Sequence, residues 1–239
     1  MTVSKVVCSL SGGLDSTTLL YHLVRTYGQN NVAALSFDYG QKHNIELSQA
    51  RRTAQKLGVA HTVIPMTFLS EMVAGVSSMV AGGLETPTYE DIENGGAVTT
   101  YVPFRNLILT SICLSFAESV GADAVALGIQ FGDYNGAAYH YWDCGEAFHK
   151  NLQKIADLND RHHIEFMTPF VDLTKAEIVR YGNRIGVPFE DTWSCYDPVL
   201  RDGRYFPCGK CPTCRNRTDA FLECGLKDPL FCGLKDAHE

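Results

Sequence analysis

Apolar and polar positions alternate between two rhythms along the first two-thirds of this chain. Lys5–Leu10 and Val32–Phe37 are short apolar runs of the kind that buried strands carry. His61–Met66 and Ala124–Ile129 read the same way. Between them, Leu14–Tyr27, Asn44–Leu57 and Phe104–Val120 repeat at helical spacing, each closed by a glycine (Gly28, Gly58, Gly121). Thr174-Lys-Ala-Glu177 is a capping box, and it predicts a helix running to Ile185 and stopping at Gly186. Strands that alternate with helices predict an α/β fold: a doubly wound parallel sheet covered on both faces. Ligands of such sheets bind beyond the carboxyl ends of the strands.

Two stretches break the rhythm. Gly75–Thr100 is rich in small and acidic residues and is long for a connection, so a lid or a mobile loop is expected there. Gln130–Gly145 places Phe131, Tyr134, Tyr139, His140, Tyr141 and Trp142 among glycines. Those aromatics either stack on a flat ligand or pack the loop onto the sheet.

The decisive turn is Ser11-Gly-Gly-Leu-Asp-Ser16, between the first strand and the first helix. A glycine turn opening a helix gathers backbone N–H groups and the positive helix end at one point, where a phosphate binds. No Lys follows the glycines, so this is not the common triphosphate loop. The segment resembles the pyrophosphate loop of N-type ATP pyrophosphatases, which cleave ATP between the α and β phosphates and transfer AMP to a substrate oxygen. The resemblance implies that Ser9, Leu10, Ser11, Gly12, Gly13, Leu14, Asp15 and Ser16 form the ATP site, with Asp15 near Mg²⁺.

Composition narrows the classes. The chain has 239 residues, 45% of them hydrophobic, enough for one large domain with or without an appendage. Twenty Lys+Arg against 27 Asp+Glu give a net charge of −7, which speaks against an extended nucleic-acid footprint. No apolar run reaches the roughly 18 residues of a membrane span. The first residues enter a strand without an export-signal pattern, so a cytoplasmic location is expected. Nine cysteines then read as metal ligands or buried thiols.

Cys195, Cys208, Cys211 and Cys214 have the spacing of a single tetrahedral metal site, C-x12-C-x2-C-x2-C. Four protein ligands leave no position for water, so a zinc there is structural. Lys210, Arg215 and Arg217 stand beside it and are expected to offset the thiolate charge. An iron–sulfur cluster is the rival, although Thr218 stands where the ferredoxin run has its fourth Cys. The domain division expected is 1–190 for the ATP pyrophosphatase domain and 191–239 for the zinc-binding region.

Loop and knuckle together resemble the 7-cyano-7-deazaguanine synthase family. Further matching segments are Asp38–His43 with Glu46, Val102–Asn106, Asp133–Gly136, Leu173–Glu177 and Thr192–Tyr196. The resemblance implies a sheet of the adenine nucleotide alpha-hydrolase type. It implies a ligase that turns 7-carboxy-7-deazaguanine and ammonia into the nitrile with ATP, Mg²⁺ and a structural Zn²⁺, and a homodimer. Catalytic roles fall by resemblance on Asp15, Arg105, Asp133 and Lys175. Asn106 is expected to contact ATP or the substrate or to cap its helix, and His43 and Lys42 either line the nucleotide site or face solvent. Asp133 and Asp143 are expected either at the guanine-like edge or at Mg²⁺. The chain departs from the family pattern at Ala137–Trp142 and in the long spacer Tyr196–Pro207. Ligases that stop at the amide or join the acid to a protein amine therefore stay open. So do a tRNA-thiolating relative, which shares the loop, and a zinc module without catalysis.

Overall fold

A computed structural model describes residues 3–42, 44–130 and 141–231. Asp133, His43 and most of the aromatic loop lie outside the described residues. Five strands, β1 (Val6–Ser9), β2 (Val32–Asp38), β3 (Ala60–Pro65), β4 (Ala124–Ala126) and β5 (Glu165–Met167), form a parallel sheet in the order β3-β2-β1-β4-β5. The chain reverses direction of winding at β1, so the turn after β1 sits at the switch point where α/β sheets open a crevice.

Strand alternation builds two cores. Val6, Cys8, Ala34 and Ala126 face the first. It is covered by α1 (Leu14–Tyr27), α2 (Ile45–Leu57), α7 (Lys175–Ile185) and α8 (Pro212–Glu223). Val7, Leu35 and Val125 face the second. Here α3 (Phe68–Val73) and α5 (Arg105–Ser119) supply Leu69, Cys113 and Ala117. Leu19, Leu20 and Leu23 are wholly buried, each worth about 1.5–3 kcal/mol of transfer free energy. Ala220 and Phe221 of α8 belong to that same first core, so the segment after the knuckle is packed onto the sheet's helices.

Helix ends follow the sequence signals. Gly58 and Gly186 are left-handed caps, and the Thr174–Glu177 box is formed in both directions. β4 is shorter than the apolar run Ala124–Ile129 predicts. Beyond Ala126 the chain leaves the sheet to press on the loop, where a Cβ on Gly128 would lie 3.1 Å from the Ser16 nitrogen.

Gly75–Thr100 is neither structureless nor detached. Ser77 and Ser78 are wholly buried, Gln41 bridges Val80, and α4 (Tyr89–Glu93) stands under a formed Thr88 capping box. The Tyr89 N–H donates to the Lys210 carbonyl at 2.9 Å, joining this flap to the cysteine knuckle. A two-stranded hairpin, β6 (Val199–Arg201) and β7 (Arg204–Phe206), fills the spacer between Cys195 and Cys208. Among the described residues, no helix is long and apolar enough to cross a membrane.

Candidate active site and cysteine knuckle

The turn between β1 and α1 is held open by its own serines. Ser11 and Ser16 share a hydroxyl contact of 2.9 Å, and the Ser11 N–H donates to the Ser16 oxygen. Gly12 lies at φ 86°, where a Cβ would come within 2.1 Å of the Glu46 carbonyl oxygen. Only glycine permits that approach. The Trp193 N–H donates to the Gly12 carbonyl at 3.0 Å and clamps the turn from outside.

This turn forms one wall of a cavity of about 450 Å³, within the usual range for small-molecule sites. Ser9, Leu10, Ser11, Gly13, Leu14, Asp15 and Ser16 all line it, whereas Gly12 packs on α2 instead. Leu10 is almost fully buried and ties the strands, donating to Leu35 and accepting from Ser36. Lys175, the first residue of α7, reaches the Asp15 carboxylate at 2.6 Å. The other Asp15 oxygen, Oδ1, is buried and has no hydrogen-bond partner among the described residues. A carboxylate oxygen left this way beside phosphate-binding donors fits a hard cation such as Mg²⁺.

The opposite wall begins at Phe104, whose φ of 53° is unusual for a non-glycine residue. This kink starts α5 and leaves Arg105 and Asn106 lining the cavity. Burial works against the Arg105 charge, but Tyr39 and Tyr196 raise its pKa above the ordinary guanidinium value. Arg105 therefore stays cationic. Burial pushes the Glu46 carboxyl up to about 7, against the pull of Arg105. Burial also holds the imidazole of His149, on α6 (Glu146–Ala156), down to about 4, so it is neutral at pH 7. Asp143 sits just before α6. Its Oδ2 accepts from the Asn106 N–H at 3.4 Å, and its carbonyl accepts from Asn106 Nδ2 at 3.3 Å.

The cavity thus gathers Asp15, Arg105, Lys175, Asn106 and Asp143 from distant parts of the sequence. Lys42 is not among them. Its ammonium donates to the Leu84 carbonyl and the Thr86 hydroxyl, so it fastens the flap. The residues that sequence reasoning missed include Tyr39, His149 and Trp193. The helical spacing of Phe148, Leu152 and Ala156 was the available signal for α6, and with it for His149.

The four cysteines do converge. The sulfurs of Cys195, Cys208, Cys211 and Cys214 all lie within 4.8 Å of one another, with Cys208 and Cys214 at 4.0 Å. A tetrahedron of about 2.3 Å metal–sulfur bonds requires about 3.8 Å between sulfurs, so the set fits one metal ion. Backbone N–H groups of Asp197 and Cys208 point at the Cys195 sulfur, and that of Cys211 at Cys208. Hydrogen bonds with Cys195, Cys208 and Cys214 hold the Cys211 thiol below the ordinary range, and Cys195 first and then Cys214 hold Cys208 below it against the opposing effect of Cys211.

Two of the expected charge-balancing residues are otherwise engaged. Arg217 is 2% exposed and forms a two-pronged pair with Asp228 at 2.7 and 2.9 Å. Its remaining donors reach Phe189, Thr192 and Ser194, so it braces the segment that carries Trp193 and Cys195. Arg215 pairs with Asp219 at 2.9 Å and lies over the Tyr89 ring.

Comparison with known proteins decides the family. The family model described as "Queuosine biosynthesis protein QueC" matches residues 5–225. The chain belongs to the QueC family. Its QueC relatives include the 7-cyano-7-deazaguanine synthase of Methanosphaerula palustris, 41% identical, covering 95% of this chain and 98% of that one. The enzymes of the same name from Clostridium kluyveri and Archaeoglobus fulgidus are 38% and 40% identical, each covering 95% of this chain and 97% and 90% of theirs. This QueC-family chain is accordingly an enzyme with a pyrophosphate-loop fold. Among solved structures, a 4-thiouridine synthetase–RNA complex with bound ATP aligns at TM-score 0.48 and 18% identity, covering 92% of this chain and 53% of that one. The U34-tRNA thiolase NcsA from Methanococcus maripaludis aligns at 0.49 and 16%, covering 92% and 65%.

Proposed function

We propose that this protein is an ATP-dependent ligase that converts 7-carboxy-7-deazaguanine and ammonia into 7-cyano-7-deazaguanine, releasing AMP and pyrophosphate. The observation that carries the reading is the joining, in one cavity, of a lysine-free phosphate turn with Lys175, Arg105 and Asp143. The family's relatives, named for this synthase, supply the substrate class.

A carboxylate repels nucleophiles, so it must first gain a leaving group. Its oxygen attacks the α-phosphorus of ATP, and pyrophosphate leaves. Ammonia adds to the acyl carbon and AMP leaves, giving the amide. The amide oxygen then takes AMP from a second ATP, and pyrophosphate leaves. Loss of both protons of the amide nitrogen and of that AMP leaves the nitrile. The work of the protein is positioning and charge stabilisation, with no covalent nucleophile. Backbone and hydroxyl donors of Ser11–Ser16 receive pyrophosphate. Lys175 and Arg105 stabilise the negative charge of phosphates and substrate carboxylate. Asp15 holds Mg²⁺, which neutralises phosphate charge when bound. Asp133 stays open between the base and Mg²⁺, as the sequence leaves it.

The four cysteines hold a structural Zn²⁺, because a closed four-thiolate set leaves no coordination position for substrate. Residues 1–190 act as the ATP pyrophosphatase domain and 191–239 as the zinc-binding region. The reaction runs on small cytoplasmic molecules, and no RNA partner enters it.

The test is incubation with ATP, Mg²⁺, ammonium and 7-carboxy-7-deazaguanine, followed by mass analysis of bases and nucleotides. Nitrile with two AMP per turnover is expected. ADP as the nucleotide product overturns the adenylation chemistry. Amide as the final product overturns the nitrile reading alone.

A further inference from the structure

The cavity contains two carboxylates that each leave one buried oxygen over, and they differ in kind. Asp15 has a cation, Lys175, on its other oxygen. Asp143 has no ion pair among the described residues, although it is only 3% exposed. Its Oδ1 is buried and has no hydrogen-bond partner among them. A carboxylate in such a place is costly unless donors meet it.

The surroundings fix its position firmly. Asn106 grips Asp143 twice, by its N–H at Oδ2 and by its side-chain amide at the main-chain oxygen. Asn106 itself is set by the kinked start of α5, and the same amide touches the Cys144 sulfur at 3.4 Å. Phe148, one helix turn on, lines the cavity beside it. Trp142 packs its ring edge-to-face on Phe148 at 5.4 Å and keeps that wall apolar. The site therefore offers a rigid acceptor next to a flat apolar wall. A partner with two adjacent N–H donors on a planar neutral ring answers both features, because a carboxylate accepts such a pair in bidentate fashion. A metal ion would need more than one oxygen ligand here, whereas the group that touches Asp143 is Asn106, through its N–H and its side-chain amide.

We propose that Asp143, positioned by Asn106, is the specificity residue that reads the ring N–H and 2-amino donors of the deazaguanine. The proposal rests on the function reading above and assigns the base-recognising group within it. It follows that the enzyme selects its substrate by the pyrimidinone edge, far from the carboxylate that reacts. An analogue lacking the 2-amino group leaves the Asp143 oxygen unmet and is rejected.

The experiment compares 7-carboxy-7-deazaguanine with its 2-deamino analogue on the metal-loaded wild type and on Asp143→Ala and Asp143→Asn. Binding of a non-hydrolysable ATP analogue is followed in parallel. Wild type should favour the 2-amino compound by about a hundredfold or more in kcat/KM. Asp143→Ala should lose about ten- to a hundredfold on that compound, chiefly in KM, and its preference should shrink to a few-fold. ATP-analogue affinity should stay within about twofold. A variant that keeps the wild-type preference overturns the proposal. So does one that loses Mg²⁺-dependent ATP binding while still discriminating. Should both variants fail to fold, the wild type decides: equal use of the two acids, or of an N1-methyl analogue, overturns it. Wild type that binds ATP but ignores every deazaguanine acid overturns the function reading instead.

Discussion

Lys175 on α7 and Asp15 on α1 meet at 2.6 Å, although 160 positions separate them in the chain. One comes from the glycine turn after β1, the other from the first turn of a helix whose dipole disfavours a cation. Their pairing makes them a unit. Asp15→Asn and Lys175→Gln should each lower turnover by about a hundredfold or more, the scale for removing a preorganised charged group. The double variant should lose far less than the product of the two. A near-wild-type rate in steady-state assays of either variant would remove the pair from the reaction.

Gly12→Ala should disable the turn. Its φ of 86° costs an alanine about 1–2 kcal/mol, and the new methyl would collide with the Glu46 carbonyl. Tm should fall by about 4 °C or more, at roughly 2–4 °C per kcal/mol for a chain of this length. ATP binding, measured by calorimetry, should be lost. Gly75→Ala is the control, since a Cβ there meets nothing.

Cys211→Ser should remove the metal and lower stability, because a closed thiolate site contributes its binding energy to folding. Elemental analysis of the wild type should find about one zinc per chain in a colourless protein. Iron with visible absorbance would revive the cluster.

Glu46 gives a pH dependence in the nucleotide-free protein. Its carboxyl titrates near 7 when folded, above the 4.5 of an ordinary glutamate. The folded state therefore holds a proton that the unfolded state has released. The stabilisation is complete below pH 4.5 and is lost as pH rises to about 7. Glu46→Gln should flatten the difference in Tm measured between pH 5 and 7.5. An unchanged slope would mean that another group sets it.

Much of this was legible in the chain, for identifiable reasons. Short apolar runs with glycine stops specify β1, β2, α1 and α2, because parallel strands are buried on both faces and glycine alone caps in the left-handed region. The Ser11–Ser16 turn and the four cysteines were legible because their chemistry is fixed by local spacing. β5 and α6 were not. Glu165–Met167 is a three-residue edge strand with an exposed glutamate, which local pattern cannot separate from loop. The roles of Lys42, Arg215 and Arg217 could not be settled from the chain, for one shared reason. Sequence shows a cation near a site but not the partner that has already taken it, such as Asp228, 11 positions further on. Asp143 could be named but not ranked, since its setting depends on Asn106 of α5, 37 positions earlier in the chain.

The main-chain bond from Tyr89 to Lys210, described above, ties the cavity's outer flap to the residue between Cys208 and Cys211. Arg215 over the Tyr89 ring adds a second thread between the same two parts. The knuckle is thus a hinge pin for the reaction chamber. A molecule whose knuckle has come apart loses the backing of that flap and, through Trp193, the outside clamp on the Gly12 turn as well.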